Sequence, residues 1–286
     1  MNDVQRIIKY CATAFAVLLA VGIIIGIVSI AIAVVDGVSG DNISIGHQNK
    51  KTIDFSKSFT EQIESLDIDN ASGELKIVPG ETFKVEATKV SEDFEARVSE
   101  DGKLSISEDK KGFHFLWFNF NGFHSLNSKI TVYIPTDFIA EEAKIDIGAG
   151  NVSIEGLKAG YLYINAGAGN INGDVLTAKD VKIDGGVGNL DLDQVDFADA
   201  DIDCGVGNLN IEGKLLGKTR IDCGVGEVEL NLNGNTKDYG FDVDSGIGSV
   251  RLNGEKLTKS EQYNRGANNI IKVDGGIGNV RINISD

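Results

Sequence analysis

Apolar and polar positions alternate along most of this chain, and the alternation is broken at regular intervals by pairs of glycines. Gly-x-Gly begins at Gly148, Gly167, Gly186, Gly205 and Gly224, each 19 residues after the last, and again at Gly246 and Gly276 after gaps of 22 and 30. The second glycines are Gly150, Gly169, Gly188, Gly207, Gly226, Gly248 and Gly278. Three positions before each pair stand Ile145, Ile164, Ile183, Ile202, Ile221, Val243 and Val273. Four positions after the first glycine stand Val152, Ile171, Leu190, Leu209, Val228, Val250 and Val280. Before each bend the apolar positions recur at period two, as a half-buried strand requires. From Val187 to Leu190 the step is three residues, so the alternation slips at Gly188-Asn189. A slip that keeps both flanking strands apolar inward implies a corner, and Gly and Asn tolerate left-handed backbone there. The residues between the glycines (Ala149, Ala168, Val187, Val206, Val225, Ile247 and Ile277) are counted with the inward set.

A bent period-two pattern recurring every 19 residues, with no helical segment between copies, predicts an all-β fold. The expected architecture is a parallel β-solenoid (β-helix) whose coils stack about 4.8 Å apart, like residue on like. Asn151, Asn170, Asn189, Asn208 and Asn279 then fall in one column, where they can form a hydrogen-bonded ladder. "IDNASGELKI" (Ile68–Ile77) aligns with "IDIGAGNVSI" (Ile145–Ile154) as a degenerate copy, and "GKLSIS" and "SKITVYIP" are further alternating strands. The solenoid is expected over residues 53–286, in roughly nine or ten coils. It ends on "VRINIS" with no obvious cap, and the insertion "EKLTKSEQYNRGAN" reads as a polar surface loop.

The N-terminal region has a different pattern. Residues 11–35, "CATAFAVLLAVGIIIGIVSIAIAVV", run for 25 positions without a charge. At ~1.5 Å per residue that is roughly 37 Å of helix, more than the ~30 Å hydrocarbon core of a bilayer. Cleavage after "AIA" is the alternative, although a signal peptide's apolar core is usually only ~7–15 residues. Arg6 and Lys9 precede the span and the next basic residue after it is Lys50, which favours a cytoplasmic N-terminus (1–10). Residues 36–52 then form a polar tether, and the repeats lie outside the cytoplasm. Cys11, at the start of the span, reads as a small apolar helix residue, with acylation the alternative.

The quoted repeats, with "SLDIDNASGELKIVPG", "VEATKV", "DGKLSIS" and "ITVYIPTDF", resemble a bacterial family of β-strand-repeat proteins of unknown function whose members carry the label "putative adhesin". The resemblance covers residues 53–286. It implies a non-enzymatic, envelope-associated solenoid, sometimes encoded with cell-envelope stress systems, and brings no catalytic residues to carry over.

Candidate chemistry is sparse. "GGVGNL" fails as a dinucleotide fingerprint because its sixth position is Leu190 and no helix follows. It fails as a calcium β-roll because Leu190 stands where the ligating Asp belongs. The outward column Asp146, Asn165, Asp184, Asp203, Asp222, Asp244 and Asp274 stacks carboxylates that weak calcium binding would relieve, although solvated carboxylates suffice. No cofactor is expected. Cys204 and Cys223 share an inward column in adjacent coils. Their Cα spacing lies within disulfide range, but in-register side chains run parallel, so the expectation is two buried free thiols. His47, His114 and His124 are the only histidines and sit in no catalytic motif. Asp201, Asp203 and Arg220 suggest a polysaccharide-active site only weakly, because repetition alone produces Asp ladders.

The net charge of −16 excludes nucleic acid as a partner. The strongest partner-contact candidates are Phe113, Phe115, Trp117, Phe118, Phe120 and Phe123, in the aromatic insertion 111–127. They suit either a cap over the first coils or contact with lipid, wall polymer or an envelope protein. Self-association through sheet edges exposed at the solenoid ends is the alternative.

Overall fold

The computed structural model describes residues 52–107, 128–257, 261–264 and 266–285, all within the unit formed by residues 50–286. The expected cytoplasmic segment, membrane helix and nearly all of the tether lie outside the described residues, as do the aromatic insertion and all three histidines. Among the described residues no helix is long and apolar enough to cross a membrane.

The described chain is all-β, with nineteen strands in one continuous sheet and a single 3-10 turn at Thr236–Asp238. It opens with β1 (Thr52–Ser58), β2 (Ser65–Gly80), β3 (Lys84–Ser91), β4 (Glu95–Val98), β5 (Lys103–Ser107) and β6 (Lys129–Pro135). The regular repeats supply β7 (Ala140–Glu155), β8 (Lys158–Ala168), β9 (Ile171–Asp174), β10 (Thr177–Val187), β11 (Leu190–Val206), β12 (Leu209–Val225) and β13 (Val228–Asn233). The remainder is β14 (Tyr239–Ile247), β15 (Val250–Leu252), β16 (Glu255–Leu257), β17 (Glu261–Tyr263), β18 (Asn269–Ile277) and β19 (Val280–Ser285).

The repeats stack in parallel and in register. Ile68 pairs with Ile145, and the column continues through Ile164, Ile183, Ile202, Ile221, Val273 and Val243. Beyond the corner a second column runs Leu75, Val152, Ile171, Leu190, Leu209, Val228, Val280, Val250. No member of either column is more than 2% exposed. Each such side chain leaves water almost completely, an effect worth about 1.5–3 kcal/mol for a branched aliphatic residue. The degenerate copy at Ile68–Ile77 takes its expected place as the first of these coils.

Three features differ from the sequence reading. First, the solenoid does not start at residue 53. Antiparallel strands come first: β1 pairs with β3, β3 with β6, and β4 with β5, while β5 and β6 lie parallel to the two halves of β2. Second, sequence order and spatial order part at the far end. β18 and β19 insert between β12/β13 and β14/β15, so "VRINIS" is an interior strand. Third, the polar insertion is not simply a loop: β16 and β17 pair antiparallel with β15 and β14 and cover the outermost coil. The physical reason is the same at both ends. A parallel coil presents unpaired N–H and C=O groups, and short antiparallel strands satisfy them where another coil would otherwise have to continue.

Candidate ligand-binding face

The corner is where the structure and the sequence pattern disagree most usefully. Counting forward from Ile183 makes Val187 inward, but Val187 is 58% exposed. The same holds for Val206 at 41%, Ile277 at 53% and Ile247 at 68%. Inward alternation stops at Gly185 and resumes at Leu190, so Gly186 to Asn189 bulge outward together. Backbone crowding accounts for this. A Cβ added to Gly188, whose φ is +150°, would meet the Gly169 carbonyl oxygen at 1.8 Å, and one on Gly186 would meet the Gly167 carbonyl oxygen at 2.2 Å. Only glycine lets adjacent coils approach this closely at the turn. At every Gly-x-Gly pair from Gly148 to Gly278, a Cβ added to either glycine would meet the backbone of the neighbouring coil.

Of the two roles expected for asparagine, the hydrogen-bonded ladder is present and the left-handed backbone is not. None of the corner asparagines is in a left-handed conformation. Instead, each side-chain oxygen accepts from the backbone N–H one coil further on. Asn151 accepts from Asn170 at 3.1 Å, Asn170 from Asn189 at 3.0 Å and Asn189 from Asn208 at 3.1 Å. The ladder is therefore side chain to backbone, and it continues from Asn208 to the N–H of Glu227.

With the corner turned outward, Ser72, Ala149, Ala168, Val187, Val206, Val225, Ile277 and Ile247 form one column across the coils. Among the described residues seven large apolar side chains are exposed, and four of them stand in this column. Such clustering is what separates an interaction surface from scattered surface apolars. On the N-terminal side of this ridge, a floor of Gly205, Gly224, Gly276 and Gly246 opens as a groove of about 540 Å³, walled by Asp203, Asp222, Asp274 and Asp244.

The electrostatics of that wall vary from coil to coil. Asp222 accepts from Arg220 Nε at 2.9 Å, Asp274 from Lys272 at 2.7 Å, and Asp184 lies 3.4 Å from Lys182. Where those cations stand, Asp203 and Asp244 have Asp201 and Asp242 instead. Partial burial pushes the Asp203 carboxyl above its ordinary range, and Asp201, Asp222 and Asp184 push it the same way. No three His, Cys, Asp or Glu side chains among the described residues converge to hold a metal ion. The Asp column is a row of separate carboxylates; the register sets Asp201 opposite Arg220 and Asp203 opposite Asp222, and the Arg220 guanidinium donates to Asp222.

Beneath the groove the structure corrects the thiol expectation. Cys204 and Cys223 are joined in a disulfide between adjacent coils, with Cα atoms 4.7 Å apart. That separation lies within the Cα range that a disulfide spans. Both residues are buried, as expected.

These features place the chain among known proteins. The family described as Toastrack DUF4097 matches residues 63–270. The chain belongs to the Toastrack DUF4097 family. This Toastrack chain is also similar to solved structures. The "putative adhesin" of Bacteroides fragilis is 16% identical, with a TM-score of 0.44, covering 82% of this chain and 97% of that one. The "putative adhesin" of Parabacteroides distasonis is 12% identical, with a TM-score of 0.38 and coverages of 83% and 98%. The "putative cell adhesion protein" of Clostridium sporogenes is 17% identical, with a TM-score of 0.31 and coverages of 82% and 100%. No curated relative matches the chain.

Proposed function

We propose that this Toastrack chain is a non-enzymatic, adhesin-like binding or scaffold module of a bacterial cell envelope. In this reading residues 11–35 anchor it in the cell membrane and residues 53–286 stand outside the cytoplasm, where they meet an envelope protein, wall polymer or lipid. The observation that carries the binding role is the exposed aliphatic column at the coil corner, flanked by a carboxylate-walled groove. Exposing large branched side chains in register is unfavourable to a surface that only needs solubility, and it is the usual mark of a contact surface. The disulfide between adjacent coils supports an oxidising compartment, since structural disulfides rarely persist in a reducing cytosol. The aromatic insertion, Phe113 to Phe123, remains a second proposed contact.

Site-specific photocrosslinking in cells tests the reading. A benzophenone side chain at Val206 or Ile277 is expected to give discrete adducts. The same probe at Asn172, exposed on β9 beyond the corner, is expected to give few. Equal adducts at all three positions, or none at any, would contradict a contact role for this face.

A further inference from the structure

We infer that the corner ridge and its acidic groove form a docking site for a cationic amphipathic α-helix. The inference rests on the binding role proposed above and names the chemistry of the partner.

Charge favours such a ligand. A ligand covering Val187, Val206, Ile277 and Ile247 must also approach the carboxylates of Asp203, Asp222, Asp274 and Asp244, which stand three residues earlier on the same strands. Anionic lipid headgroups, anionic wall polymers and nucleic acids are repelled there, in keeping with the net charge of −16. Insertion into a neutral bilayer would bury the ridge but strip water from the adjacent carboxylates, which is costly without a cation to replace it. A polypeptide with apolar and basic side chains side by side satisfies both halves of the surface. Asp203 and Asp244 suit this role because their own strands place Asp201 and Asp242 where neighbouring strands place a cation.

The coil spacing matches a helix better than an extended chain. The ridge repeats once per coil, and adjacent coils are 4.7 Å apart at Cys204 and Cys223. A helix laid along the ridge presents the same face once per turn, about every 5.4 Å. Across four coils the two periods drift apart by only about 2–3 Å, less than the width of a side chain. An extended peptide presents the same face about every 6.6 Å and would slip by roughly 6 Å over the same distance. A helix can therefore seat one apolar side chain near each coil with its basic flank over the Asp column. This is the helix-in-groove mode of recognition, read here by a β-surface.

The ridge is also graded in side-chain size. It runs from Ser72 through Ala149 and Ala168 to Val187, Val206 and Val225, and ends in Ile277 and Ile247. Only its distal half offers enough apolar surface to hold a helix, and that half coincides with the acidic groove.

The test uses the full-length chain in neutral-lipid nanodiscs, with empty discs as the blank, and a fluorescent 18-residue Leu/Lys amphipathic helix as the probe. Its controls are a scrambled peptide of the same composition and a Leu/Glu helix. The Leu/Lys helix is expected to bind at least tenfold more tightly than either. The triple substitution Val206→Ser, Ile277→Ser and Ile247→Ser is expected to weaken it at least tenfold, whereas Val206→Ile leaves binding intact. Asp203→Asn with Asp244→Asn is expected to flatten the salt dependence. The proposal is overturned if the scrambled peptide binds equally, which indicates charge alone. It is also overturned if the triple variant, with an unchanged melting temperature, binds like wild type, or if empty discs account for all binding. Crosslinks at Val206 in cells alongside a failed peptide assay would retain the contact face and discard the cationic helix.

Discussion

Asp203 shows how repetition creates a local electrostatic cost. Stacking places it between Asp184 and Asp222, and its own strand adds Asp201 rather than a cation. Its carboxyl is therefore raised, by partial burial first and by those neighbours second. An acid raised in the native state binds more protons there than in the unfolded chain, so its contribution grows more favourable as pH falls through the raised value. Near neutral pH the charge works against folding. Asp203→Asn should therefore raise the urea midpoint at pH 7, by no more than the few tenths of a kcal/mol typical of exposed like-charge pairs. The advantage over wild type should shrink as the pH falls toward the ordinary Asp range. A variant that is less stable at pH 7 would show that Asp203 makes a favourable contact instead. The Asp column was legible from the 19-residue spacing, but it read as solvated; the partial burial of Asp203 and the neighbours that act on it emerge only when the strands are laid side by side.

The coils turn at more than one kind of corner, and only the Gly-x-Gly corner was visible in the sequence. The Gly-x-Gly corner announces itself because coil-to-coil crowding admits no Cβ. The second corner, 19 residues apart at Gly156, Val175 and Gln194, has φ values of +70°, +54° and +53°. Because it is occupied by three different residue types, it left no motif to read. For a β-branched residue such a backbone is strained. Val175, which is 42% exposed, has little packing to lose. Val175→Gly should accordingly stabilise the domain by about 1 kcal/mol, the strain relieved less the added flexibility of glycine in the unfolded chain. Equilibrium urea unfolding reads this directly; a lower midpoint would mean that the side chain packs more than its exposure suggests. The corner also accounts for the misassigned ridge. Alternation read forward from Ile183 and backward from Leu190 disagrees over four residues, two of them glycines, and sequence alone cannot say which residues bulge.

At the scale of the molecule, the period gives the architecture and the departures from it give the boundaries. The aliphatic columns, the degenerate first copy and the Asn ladder follow from like stacking on like. The caps do not, because β1, β3, β4, β16 and β17 are antiparallel and share no repeat with the coils they cover. Nor does the position of β18 and β19, since a 30-residue gap does not reveal that the chain passes over one coil and returns beneath it. The proposed ridge requires residues 19 apart to stand side by side up to Val225, and β18 to lie between β12 and β14. The most direct test is a pair of engineered cysteines in a Cys11→Ser background. Val187→Cys with Val206→Cys places thiols in adjacent coils, in the relation that joins Cys204 to Cys223. Mild oxidation should close that pair within one chain and remove both new thiols from a labelling reaction. Val187→Cys with Val225→Cys, two coils apart, should stay reduced, since about 9.6 Å exceeds what a disulfide can span. Closure of both pairs to the same extent, or of neither, would contradict the stacking on which the account rests.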